Sequence, residues 1–160
     1  MNSNQDETLK TIISPQTGKC IPIIEIPDEV FSEKILGDGV AILPIEDDVF
    51  SPIDGEIIQV AETGHAFCIK SDDGLELMIH IGVDTVTLGG KGFKCFTKKG
   101  DKVHKGDKIA SADIKFIKES GFPLHTALLI TNFGEIESMD CHYQDVKAGE
   151  SVVIEYKKKS

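Results

Sequence analysis

Gly64-His65-Ala66-Phe67-Cys68-Ile69-Lys70-Ser71-Asp72-Asp73-Gly74-Leu75-Glu76-Leu77-Met78-Ile79-His80-Ile81-Gly82 consists of two apolar runs separated by four turn-forming residues. Asp and Gly tolerate the backbone angles a tight hairpin needs, so the two runs read as antiparallel strands. A turn centred near residue 73 places position 65 opposite position 80 or 81, with Cβ atoms about 5 Å apart across the ladder. That pairing brings the imidazoles of His65 and His80 together, whereas a slip by one residue would send them to opposite faces. Between Leu77 and Val83 the ring of His80 is the lone titratable group. Burial among apolar neighbours disfavours its charged form and leaves a neutral ring with a nucleophilic nitrogen. Gly82, with no side chain, leaves room for a close approach beside it.

Outward from the hairpin the same texture continues: short apolar runs broken by Gly, Pro and Asp every eight to twelve residues or so, the spacing of an all-β sandwich or barrel. The further expected strands are Cys20–Glu25, Gly39–Leu43, Glu56–Val60, Phe93–Phe96, Lys108–Ser111, Leu124–Ile130 and Val152–Tyr156, with short helical turns at Asp28–Ile35 and Asp113–Glu119. Two echoes suggest internal pseudo-repeats. Ser14-Pro15-Gln16-Thr17-Gly18 is answered by Ser51-Pro52-Ile53-Asp54-Gly55, and Lys99-Gly100-Asp101-Lys102-Val103 by Lys105-Gly106-Asp107-Lys108-Ile109, more loosely by Ala148-Gly149-Glu150-Ser151-Val152. Pro fixes φ and Gly supplies the positive φ, so each pattern predicts one kind of turn used repeatedly. The expected organisation is a flexible arm over residues 1–13, one antiparallel β-domain over 14–156 and a tail over 157–160.

The 160 residues carry 27 Asp and Glu against 17 basic residues, every one of them Lys, for a formal charge of −10. Without Arg forks or a basic stripe, nucleic acid is not an expected partner, and any phosphate chemistry must use His, Lys or backbone N–H groups. Cys20, Cys68, Cys95 and Cys141 form no Cys-x-x-Cys pair, which points to free thiols rather than a zinc or redox site. No apolar run reaches the length of a membrane span or of a signal peptide. The expected compartment is the cytoplasm, without intrinsic membrane insertion. His104, His125 and His142 carry no comparable pattern and read as ordinary structural or surface side chains.

Thr63-x-His65-Ala66-Phe67, Gly74-x-Glu76-Leu77 and His80-Ile81-Gly82-Val83-Asp84-Thr85-Val86 resemble the active-site signature of the glucose-type enzyme IIA of the bacterial phosphoenolpyruvate-dependent sugar phosphotransferase system. Val30-Phe31-Ser32-Glu33-Lys34-Ile35-Leu36-Gly37-Asp38-Gly39-Val40-Ala41, Pro52-Ile53-Asp54-Gly55, Lys91-Gly92-Phe93 and Gly100-x-x-Val103-x-x-Gly106-Asp107 extend the similarity from about Ile13 to Tyr156. The resemblance implies a β-sandwich that takes a phosphoryl group from the histidine-containing phosphocarrier protein and passes it to enzyme IIB of a IIB/IIC sugar permease. It further implies that His80 carries the phosphoryl group, that His65 donates a hydrogen bond to it and that Thr63 orients His65. Asp38 and Asp84 would stand at the rim and meet basic groups of the phosphocarrier.

A phosphohistidine survives only where water is held off, and Val40, Met78, Ile81, Val83 and Val86 are the expected apolar rim, which would also dock partners. No cofactor or metal is required, because positioning and electrostatics carry most of phosphoryl transfer. Two other readings use the same residues. One is a binding module whose docking to transporters or kinases follows its phosphorylation. The other is a zinc hydrolase with His65, His80 and Asp84 as ligands.

Overall fold

In the computed structural model, which describes residues 9–159, the hairpin closes at Ser71–Gly74. The Ser71 N–H donates to the Leu75 carbonyl at 2.7 Å and the Gly74 N–H to the Ser71 carbonyl at 3.0 Å. Gly74 takes φ +90°, a value that favours glycine. The two flanking strands are among fourteen that the described residues form. In chain order these are β1 Lys10–Ile13, β2 Gly18–Pro22, β3 Asp38–Pro44, β4 Asp48–Phe50, β5 Gly55–Val60, β6 Ala66–Ser71, β7 Glu76–Ile81, β8 Phe93–Cys95, β9 Lys102–Val103, β10 Lys108–Ala112, β11 Thr126–Ile130, β12 Ile136–Cys141, β13 Asp145–Val146 and β14 Val152–Lys158. Two short α-helices, α1 Glu29–Ser32 and α2 Ile114–Glu119, and 3-10 turns at Ile23–Glu25, Thr85–Leu88 and Phe133–Glu135 lie between strands.

All the strand pairs are antiparallel. They form an eight-stranded sheet in the order β13-β2-β3-β11-β7-β6-β5-β9 and two three-stranded sheets, β1-β14-β12 and β4-β10-β8. Alternation along the strands sorts side chains to two faces. One face of the large sheet, with Val40, Ile42, Phe67, Ile69, Leu77, Ile79, Ile81 and Leu128, joins Ile12, Ile154 and Tyr156 of one small sheet and Val49 and Ile109 of the other in the main core. The opposite face carries a smaller cluster. There Ile21, Ala41, Ala127 and Leu129 are covered by Ile23, Ile26 and Phe31 from the segment between β2 and β3, with Val83 buried among them and Met78 partly buried against the cluster.

The turn echoes of the sequence are structural repeats. Ser14 Oγ donates to the Gln16 carbonyl at 2.6 Å and Ser51 Oγ to the Ile53 carbonyl at 2.7 Å. Asp101 accepts from the Lys98 N–H at 2.9 Å and Asp107 from the His104 N–H at 2.8 Å. Both expected helical turns form on their Asp caps, Asp28 accepting from the Val30 N–H and Asp113 from the Phe116 N–H, which relieves otherwise orphaned amide donors.

Several boundaries differ from the sequence reading. The strand expected over Cys20–Glu25 ends at Pro22 and becomes a 3-10 turn, since proline brings no amide hydrogen to a ladder. The helical turn expected to reach Ile35 ends at Ser32, and Lys34 beyond it has φ +61°, outside the helical region. Lys10–Ile13, expected to belong to the flexible arm, is instead β1, paired with β14. The tail expected from residue 157 is likewise partly strand, since β14 runs to Lys158. The rest of the arm, residues 1–8, lies outside the described residues.

Ile79 is fully buried in the main core, whereas Ile24 is 71% exposed. Ile79→Ala should therefore cost about 2–5 kcal/mol of unfolding free energy, and Ile24→Ala no more than about 0.5 kcal/mol. Urea denaturation of the two variants checks both.

Candidate functional site

His80 lies in a row of residues that runs across five adjacent strands. The register reads Ile21 opposite Ala41, Ala41 opposite Ala127, Ala127 opposite His80 and His80 opposite Ala66. Alanines therefore flank the imidazole on both sides, and their methyl groups leave a shallow hollow for it. The hollow is walled by Phe31, whose ring centroid is 4.9 Å from that of His80 at an interplanar angle of 54°. Phe31 is delivered by α1, capped by Asp28.

His65 reaches the same hollow by a different route. With Ala66 opposite His80, His65 stands opposite Ile81, whose N–H donates to the His65 carbonyl at 2.8 Å. Strict pleating would send its side chain to the other face from His80. But β6 begins only at Ala66, and residue 65 follows a turn at Gly64, which has φ +73° and donates to the Ala61 carbonyl at 2.8 Å. The pleat does not govern position 65, and the two rings meet edge to face with centroids 4.9 Å apart at 84°. Thr63 Oγ1 lies 2.6 Å from His65 Nδ1, and the Phe93 ring lies 6.3 Å from the His65 ring.

The Gly82 carbonyl lies 3.0 Å from His80 Nδ1. A carbonyl only accepts, so Nδ1 carries the hydrogen, and the Nε2 of a neutral ring keeps its lone pair. Gly82 has φ +76°, and a Cβ there would collide with the Thr85 methyl. The Thr85 hydroxyl donates to the Ile81 carbonyl, and Asp84 sits in the left-handed region with φ +63°. This turn therefore fixes the carbonyl that selects the tautomer.

Burial pushes the His80 pKa below its ordinary 6.5, opposed in order by the Gly82 hydrogen bond and the negative charge of Asp28, with Asp84 a smaller contributor. His65 is also lowered, first by burial and then by repulsion from His80. Both rings are thus poised neutral at neutral pH.

The structure brings His65, His80 and Thr63 together, and it places Asp84 within electrostatic range of His80. Val86 is 52% exposed on the turn just after, and Met78 is partly buried against the smaller cluster.

Other expected rim residues are corrected. Val40 and Ile81 are buried in the main core on the opposite face, and Val83 is buried within the smaller cluster. None of the three offers an accessible rim. Asp38 pairs with Lys34 at 3.4 Å, accepts from the Gly39 N–H at 2.8 Å and lines a separate groove of about 510 Å³ with Cys141 and Tyr143, which neither His65 nor His80 lines. The carboxylate beside Asp84 that acts on His80 is Asp28. The exposed apolar side chains next to Phe31 are Val30, Ile35 and Leu36. The sequence signal for Asp28 and Phe31 is the segment Pro27-Asp28-Glu29-Val30-Phe31, which by itself reads only as the start of a short helical turn.

Among the described residues, the side chains that bring three metal-ligating atoms together are Asp140, His142 and Glu155, not His65, His80 and Asp84. The ligand set of the zinc-hydrolase reading is therefore not assembled. No helix among the described residues is long and apolar enough to cross a membrane.

The lowered pKa values of His65 and His80, and of His125 through burial, mean that the unfolded chain takes up protons these rings refuse when folded. Their contribution to stability is complete above pH 6.5, the unfolded value, and is lost as the pH falls from there through the folded values. Between pH 6.5 and 5 the unfolding free energy should fall on acidification, each such ring adding up to about 1.4 kcal/mol per pH unit to the slope. Urea melts across that range should show a shallower slope in His80→Gln.

The chain resembles known proteins over most of its length. Residues 10–136 match the family model for the phosphoenolpyruvate-dependent sugar phosphotransferase system, EIIA 1. A "PTS system glucose-specific EIIA component" of Oceanobacillus iheyensis is 40% identical over 146 residues, 91% of this chain and 88% of that protein. The protein of the same name from Haemophilus influenzae is 41% identical over 142 residues, 89% of this chain and 86% of that one. The solved structure of glucose permease IIA from Mycoplasma capricolum superposes with a TM-score of 0.85 at 35% identity, covering 92% of this chain and 96% of that one. On the match over residues 10–136, the shared architecture and these identities, the chain belongs to the EIIA family of the phosphoenolpyruvate-dependent sugar phosphotransferase system.

Proposed function

We propose that the chain acts as a cytoplasmic phosphohistidine carrier, with His80 Nε2 as the atom that bears the phosphoryl group. The observation that carries this reading is the edge-to-face imidazole pair in which the Gly82 carbonyl holds His80 in the Nδ1–H form. The Nε2 lone pair attacks the phosphorus of a phosphohistidine on the phosphocarrier protein. As the new P–N bond forms, the donor's P–N bond breaks and its electron pair returns to the donor imidazole. The phosphorylated His80 ring gains positive charge, which the Nδ1–H shares with the Gly82 carbonyl. Reversal of the same step onto the acceptor residue of enzyme IIB returns His80 to its neutral form.

His65 stabilises the moving group. If Thr63 donates its hydroxyl hydrogen to Nδ1, the neutral His65 ring carries its hydrogen on Nε2 and donates it to a phosphoryl oxygen. A preplaced donor of this kind costs no reorganisation as charge develops. Phe31 and the alanine row keep the hollow apolar, which protects the P–N bond from water. Val30, Ile35, Leu36 and Val86 present exposed apolar surface for the visiting proteins. Asp28 and Asp84 give that surface a negative field for a basic partner.

Incubation with phosphoenolpyruvate, enzyme I and the phosphocarrier should add one acid-labile phosphoryl group by mass spectrometry, absent in His80→Ala. Retention of the gain in that variant overturns the assignment. His65→Ala should slow acceptance by roughly a hundredfold, the cost of losing one preplaced donor, and Thr63→Val by less.

Asp28 and Asp38 separate by salt dependence. Asp28→Asn should lower the rate of phosphoryl acceptance severalfold at low salt, with the deficit shrinking as ionic strength rises. Asp38→Asn, already neutralised by Lys34, should leave that rate unchanged. Stopped-flow or quench measurements at two salt concentrations decide.

A further inference from the structure

On the outer sheet β1-β14-β12, away from the imidazole pair, Asp140 stands directly opposite Glu155 in the ladder. Two carboxylates in that relation repel. His142, the residue that follows the end of β12 at Cys141, reaches the same pair. Its Nε2 lies 2.9 Å from Glu155 Oε1 and 4.0 Å from Asp140 Oδ2, and the three donor atoms all fall within 4.8 Å of one another. Among the described residues no lysine forms an ion pair with either carboxylate, although Asp38, Asp48, Asp101 and Glu150 each have one.

We propose that Asp140, His142 and Glu155 form a binding site for a divalent first-row transition ion of the zinc class. Metal–ligand bonds of about 2.0–2.1 Å in tetrahedral geometry put ligand atoms roughly 3.3 Å apart, which lies between the two separations seen here. An ion at the centre replaces carboxylate repulsion with two attractions. The donor set selects the metal: one imidazole nitrogen with two carboxylate oxygens suits zinc and its neighbours, whereas magnesium and calcium take six or more oxygens. Three protein ligands leave a fourth position open to solvent on the side of Asp140, which is largely exposed.

The backbone holds the ligands before any ion arrives. Asp140 and Glu155 are in register, and the His142 N–H donates to the Val153 carbonyl at 2.8 Å. Binding would cross-link β12 to β14, and β14 also pairs with β1. The site thus clamps β14, which is held between β1 and β12.

Calorimetric titration of the full chain with zinc tests the site, using a His65→Ala, His80→Ala double variant to remove binding at the imidazole pair. That variant should still bind one zinc per chain and melt at a higher temperature with zinc than with chelator. Adding His142→Gln or Glu155→Gln should weaken binding at least roughly tenfold and abolish the thermal shift, while magnesium produces no shift in any form. In the unaltered chain, zinc should move the His142 ring resonances in the NMR spectrum, a reading that needs no substitution at the site. A double variant that binds no zinc, affinity indifferent to His142 and Glu155, unmoved His142 resonances, or an equal response to magnesium would each overturn the proposal.

Discussion

One carbonyl oxygen, that of Gly82, decides what His80 can do. Imidazole is ambivalent: either nitrogen can carry the hydrogen, and the choice determines which lone pair is offered. By accepting from Nδ1 at 3.0 Å, the Gly82 carbonyl leaves Nε2 free of hydrogen in the neutral ring. That carbonyl is aimed by a turn with little freedom to move. Gly82 occupies a positive φ where a side chain would collide with Thr85, and Thr85 is itself bonded to the Ile81 carbonyl. Behind the turn stands the ladder of β6, β7 and β11, with its apolar face fully buried. The large sheet is thus a rigid mount for one tautomer.

The second constraint is dryness without closure. A ring sealed in the main core would be neutral but unreachable, and one on an open surface would be wet and readily protonated. The thin face of the sheet lies between these limits. Alanines beside His80 and a single aromatic wall at Phe31 remove water from part of the ring. Burial then lowers its pKa more than Asp28 and Asp84 raise it. The wall is borne by a helix of four residues, too short to persist alone, so it depends on Ile23, Ile26 and Phe31 packing onto Ile21, Ala41, Ala127 and Leu129.

Legibility in the sequence followed the range of the interaction. The hairpin, the serine-proline turns and the aspartate caps are local devices, and each could be recognised from a few adjacent residues. The meeting of His65 and His80 was anticipated for a partly mistaken reason, since the ladder puts them on opposite parity and it is the break before Ala66 that lets the rings meet. In Gly39-Val40-Ala41-Ile42 every position is apolar or glycine, so periodicity does not tell which face Val40 occupies, and it was expected at the rim when it is core. Asp28 and Phe31 failed for the converse reason. Their own neighbourhood reads as a capped turn, and only the packing of that turn across β2, β3 and β11 brings it to His80. β12 was missed because its exposed face is acidic and only one of its residues, Ile136, is buried.

The same two carboxylates bear on the energetics of the phosphorylated state in the proposed carrier. Asp28 and Asp84 favour positive charge on the His80 ring, and that is where charge accumulates once Nε2 is phosphorylated. The phosphoryl oxygens, however, bring about two negative charges of their own into the same hollow, and these the carboxylates oppose. With no arginine anywhere in the chain to neutralise the group, its one preplaced partner is the His65 ring. In the proposed carrier the P–N bond itself holds the group, with one imidazole donor and no guanidinium beside it to oppose its departure. That freedom to depart is what a relay requires and what a phosphate-binding pocket lined with guanidinium groups would destroy.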